Sequence, residues 1–161
     1  MEATELKAAS AKFEFAAWKG TNRLGRELLI RNIAFPGDLV AGFESARTRQ
    51  IDPGDGTRLL RVSWEVPERE SVSLVMDVRE CKTRDQAHDI LLELLANMQA
   101  PDVKRLGEDA PGDVAFARET GTAIVFARGN VAISIGNGGR RSSSVADAAK
   151  AIDRWLMGHG Q

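Results

Sequence analysis

Residues 122–135 read TAIVFARGNVAISI, and this stretch decides the fold class. Gly129-Asn130 stands between two apolar runs, and two residues of that kind between alternating strands signal a tight β-hairpin. Strands over 122–128 and 131–135 then oppose Phe126 to Ile133 and Ile124 to Ile135. All four side chains share one face, so turn chemistry and hydrophobic pattern agree on one register. A third strand, 113–118, precedes the hairpin and points Val114 and Phe116 inward.

The same pattern recurs upstream. In 58–66, Leu60, Val62, Trp64 and Val66 alternate with Arg61, Ser63 and Glu65, so one face is buried and the other wet. Residues 71–80 form the next strand, with Val72, Leu74, Met76 and Val78 inside. Residues 43–51 read as a strand before them, joined through the turn Asp52-Pro53-Gly54-Asp55-Gly56, and Pro67-Glu68-Arg69-Glu70 is a polar connection. Thr83-Arg84-Asp85-Gln86 opens a helix with a capping box, and Ala87, Leu91, Leu94, Leu95 and Met98 form its apolar stripe. Pro101 lies just past its end, and 101–112 reads as a loop. The last helix covers 145–157, capped by Ser144 with Asp147 and closed by Gly158-His159-Gly160.

Ahead of these units, Leu6, Ala9, Phe13, Ala16 and Ala17 recur at helical spacing over 2–19, and Gly20 sits where a C-terminal cap belongs. Residues 21–35 fit a helix and a buried strand about equally, until Pro36-Gly37-Asp38 ends them. The expected architecture is therefore α+β. It is an antiparallel sheet of about six strands from two strand-strand-strand-helix units, with helices packed on one face and an N-terminal helix added. One domain is expected over 1–161, divided into the N-terminal helix (1–20), a first unit (42–100) and a second (112–157).

With 43% hydrophobic and 28% charged residues, the composition is that of a globular protein and excludes general disorder. A net charge of −1 gives no global attraction to nucleic acid or anionic membranes, so neither is expected as a partner. Arg47, Arg49, Arg58, Arg61 and Arg79 gather in the strands, offset by Glu44, Glu65, Asp77 and Glu80. The single cysteine, Cys81, permits no intramolecular disulfide, which fits a reducing compartment. The opening residues MEATELKAASAKFEF carry no basic stretch followed by an apolar one, so the chain as it stands reads as cytoplasmic. No apolar run approaches the ~20 residues of a membrane span.

Over 112–157 the order GDVAFARE, IVFARGNVAISI and VADAAKAIDRWL resembles uncharacterised bacterial α+β domains, some of them exported. The resemblance implies a fold and no activity, and it keeps open an exported domain whose signal has been removed.

Chemistry has one candidate place, the loop Gly136–Ser144 between a strand and a helix start. Gly138 and Gly139 allow close backbone approach, Arg140 and Arg141 add charge, and Ser144 stands at the helix N-terminus, where an anion is favoured. The loop is neither a P-loop nor a dinucleotide fingerprint. His88, Asp85, Asp89 and Cys81 lack paired metal-ligand spacing, so no metal or cofactor is expected. Cys81 reads as a small apolar residue near a strand end, because His88 is poorly placed to act as its base. No catalytic residues are assigned. Trp18 is the side chain whose exposure would mark a protein-binding face. The chain therefore reads as a non-enzymatic binding or protein-interaction module, for another copy of itself or a different protein. The alternatives are a protein or enzyme for a small anionic ligand at 136–144, and the exported domain.

Overall fold

The structure, a computed structural model, describes residues 3–20, 27–31, 33–66 and 69–160. In chain order its elements are α1 (Ala3–Lys12), a 3-10 stretch (Phe15–Gly20), a short 3-10 turn (Gly37–Leu39), β1 (Ser45–Ile51), β2 (Arg58–Val66), β3 (Arg69–Glu80), α2 (Arg84–Met98), β4 (Val103–Arg105), β5 (Val114–Arg118), β6 (Ala123–Arg128), β7 (Val131–Asn137) and α3 (Ala146–His159). The class is α+β, built on one antiparallel sheet in the order β1-β2-β3-β7-β6-β5-β4. Among the described residues the sheet has seven strands, not six. The addition is β4, three residues inside the stretch expected as loop, pairing Val103 with Arg118. Three residues are too few to show an alternation.

The hairpin holds the register read from its sequence, with Phe126 opposite Ile133 and Ile124 opposite Ile135. The two halves of the sheet meet where β3 pairs with β7, Met76 opposite Ile135 and Val78 opposite Ile133.

The helices do not share one face. On the first face, the buried residues of β2 and β3 (Leu60, Val62, Trp64, Leu74, Met76 and Val78) join Phe126, Ile133 and Ile135 under Ala149, Ile152 and Leu156 of α3. On the opposite face, Leu91, Leu92 and Leu95 of α2 pack with Val114, Phe116, Val125 and Ala127. The physical reason lies in β5, β6 and β7, whose burial is nearly continuous. Strands apolar on both sides need cover on both sides.

The described residues of this stretch, 27–31 and 33–35, form neither helix nor strand, and 21–26 and Asn32 lie outside the described residues. Leu28, Ile30, Phe35 and Val40 bury their side chains in the core of the first face, and Pro36 accepts the Trp64 indole N–H at 3.1 Å. Pro67 and Glu68 of the expected connection are also outside the described residues, while Arg69 and Glu70 already belong to β3.

The N-terminal helix is shorter than its periodicity suggested. α1 ends at Lys12, Glu14 turns left-handed at φ 54°, and the chain continues as the 3-10 stretch. That turn shifts the phase, so Ala16 and Ala17 are exposed and Trp18 is buried in their place. At α2 the expected cap forms: Gln86 N–H donates to Thr83 Oγ1 at 3.0 Å, and Gln86 Oε1 accepts from Lys82 N–H at 2.8 Å. At α3 the capping box does not form as expected. Val145 is the cap residue with no side-chain bond, and Ser144 Oγ accepts only from Ala146 N–H at 3.3 Å.

Candidate functional site

The deepest charges form one cluster at the hairpin end of the sheet. Asp153 of α3 accepts from Arg128 Nε at 2.9 Å, from Arg128 Nη2 at 2.6 Å and from the Gly112 N–H at 2.9 Å. Asp113 accepts from Arg128 Nη1 at 3.2 Å and from the Gly129 N–H at 2.7 Å. Burial works against the charged guanidinium, but Asp153 and then Asp113 outweigh it and leave the Arg128 pKa above its ordinary value. Beside this cluster, buried Asn130 holds Leu28 with both ends of its amide, at 2.7 and 3.0 Å, and donates to Cys81 O at 2.9 Å. These groups bind their own chain and join α3, the hairpin and the 27–30 segment. The sequence carried one sign of them: Asp153 falls within the inner stripe of the last helix, where a carboxylate requires a partner.

His88 and Cys81 are also structural. His88 is buried at 2% exposure, edge-on to the Trp18 ring with centroids 5.8 Å apart, and its Nε2 has no hydrogen-bond partner. Burial, with Arg84 nearby, lowers its pKa below the usual histidine value. Trp18 itself is fully buried and donates its indole N–H to Phe13 O at 3.0 Å, so it marks no exposed face. Burial pushes the Cys81 thiol up to about 12, which leaves no thiolate to act as a nucleophile at neutral pH.

The loop after β7 is tied mainly to its own chain. Gly138 N–H donates to Ser73 O at 3.1 Å, and Val145 N–H to Gly121 O at 2.8 Å. Ser143 N–H reaches Asn137 Oδ1 at 3.3 Å. A Cβ at Gly138 would run into Val75 Cγ2, so its close approach is to β3. Gly139 is half-buried, and Arg140, Arg141 and Ser144 are exposed. The structure keeps these five residues in one loop. The amides of Gly138, Ser143, Val145 and Ala146 are engaged, while Gly138, the two arginines and the three serines 142–144 are exposed.

A larger open feature lies on the far half of the sheet. On the face that α2 covers elsewhere, β1, β2 and β3 present Arg61 and Glu65 exposed, with Ser63, Val75 and Asp77 half-buried. Rows run across the strands in register: Arg49–Arg61–Asp77 and Arg47–Ser63–Val75. Arg61 is held by Asp77 through Nε at 2.8 Å and Nη2 at 3.0 Å, bonds that raise its pKa. Arg47 and Arg49 are exposed, with no ion pair among the described residues. Of the five arginines grouped by sequence, Arg58 lies on the other face, and Arg79 approaches Asp55 at 3.8 Å.

No protein-family model, curated protein or solved structure matches this chain. Among the described residues, no helix is long and apolar enough to cross a membrane, and no group of three or more His, Cys, Asp or Glu could hold a metal ion.

Proposed function

We propose that the protein is a non-enzymatic binding module that receives another protein on the open half of its sheet, across β1, β2 and β3. One observation carries this reading: α2 and the N-terminal segment cover β5 and β6 on that face and α2 covers Ala132 of β7, while Arg61, Ser63, Glu65, Val75 and Asp77 remain accessible beside the edge strand β1. The buried polar groups support it from the other side, since Arg128, Asp113, Asp153 and Asn130 are engaged with their own chain. A half-sheet of mixed polar and apolar side chains has the character of a non-obligate protein interface.

The test is site-specific photo-crosslinking in cells that produce the protein. A photoreactive residue at Ser63 is expected to capture one recurrent protein, identified by mass spectrometry. The same residue at Lys150, on the exposed side of α3, is expected to capture none. Equal labelling from both positions, or no adduct from Ser63, overturns the reading.

A further inference from the structure

We infer that β1 accepts an acidic, extended segment of the partner protein as an eighth strand; the inference rests on the protein-binding reading above. Among the described residues β1 is one edge of the sheet, with Ser45 to Ile51 paired to β2 on one side only. In an antiparallel pair every second residue of such an edge turns its N–H and C=O outward, a template for a further strand. The opposite edge, β4, is three residues long and offers much less. β1 contains no proline, and the one register shift recorded in this half of the sheet lies between β2 and β3, at Glu65 and Val66. Arg47, Thr48, Arg49 and Gln50 are all exposed, so both faces of the edge are open.

The side chains select the occupant. Arg47 and Arg49 point to the same face, about 7 Å apart along the strand. Neither has an acidic partner among the described residues, and the nearest carboxylate in the Arg49 row, Asp77, is held by Arg61. An added strand places its side chains about 5 Å from those of β1, so acidic residues at alternate positions meet both arginines. A second copy of this chain is a poor occupant. Two β1 strands paired about a two-fold axis at Thr48 set Arg47 against Arg49 of the other copy. Centred on either arginine, they set it against itself. Like charges directly opposite are destabilising. A nucleic acid is disfavoured by Glu65 and Asp77 on the same face.

The test uses a short peptide alternating Glu with Thr or Val, measured by fluorescence anisotropy and amide hydrogen exchange on the full chain. Binding is expected, with slowed exchange confined to 45–51. N-methylation of alternate peptide amides is expected to abolish it. Arg47→Ser with Arg49→Ser, both at exposed positions, is expected to weaken binding about tenfold without changing the melting temperature. Equal affinity for the peptide with Lys in place of Glu, equal affinity after N-methylation, or tighter binding of a single-stranded oligonucleotide overturns the inference. So does crosslinking from Ser63 that persists unchanged in the double variant, which leaves the protein-binding reading standing. Absence of both peptide binding and Ser63 crosslinks removes the two together.

Discussion

At the residue scale His88 has the clearest consequence. Burial, then Arg84, holds its pKa below the ordinary value, while Asp113, Asp85 and Asp89 pull weakly the other way. The folded state therefore keeps the neutral ring, whereas the unfolded chain titrates at about 6.5. The unfolded state binds the extra proton between the two values. Stability from the neutral ring is thus fully present above about 6.5 and falls as pH drops through that value. Asp55, whose carboxyl is held low first by the Thr57 hydroxyl, loses its contribution only in more acid solution, so the two windows separate. Urea midpoints measured from about pH 7.5 to about pH 5.5 are expected to fall in the native chain and to fall less in His88→Leu. Parallel falls would acquit the histidine. In sequence His88 only follows Ala87 of the α2 stripe; the ring packed against it is Trp18, seventy positions earlier, which no local pattern reports.

At the element scale the N-terminal segment behaves as part of the core. Phe13 meets the Phe116 ring at 5.3 Å, and Trp18 meets Phe15, His88 and Phe116. Trp18→Ala leaves a void under α2 and is expected to lower unfolding free energy by about 3–5 kcal/mol. A loss under about 1 kcal/mol in urea denaturation would mean that the segment is not docked in solution. The helical period of this segment was legible only as far as Lys12, because Glu14 adopts a left-handed backbone that side-chain periodicity does not encode. Elsewhere local chemistry sufficed. The Thr83 cap and the hairpin register follow from neighbours in sequence, and both stand as read.

Across the whole molecule, Arg128, Asp113 and Asp153 bind three distant parts of the chain into one unit. Asp153→Ala removes two bonds from Arg128 and one from Gly112, and is expected to cost about 3–5 kcal/mol. Asp153→Asn keeps an acceptor for Gly112 and is expected to cost less, with chemical denaturation as the measurement for both. A cost for Asp153→Ala no larger than that of an exposed substitution would show that the cluster does not tie α3 to the sheet. By itself the sequence determined the α+β class, the strand pairs joined by short turns, and most faces of the strands. Those properties depend on side-chain period and turn residues, which act over a few positions. Only the tertiary structure decided that α2 and α3 take opposite faces, that β3 pairs with β7, and that β1 is left as an open edge. These depend on which apolar surfaces find cover across long separations, and period alone does not say which partner wins. The candidate surface belongs to this second group, since a strand's exposed edge exists only once every other strand has taken its place.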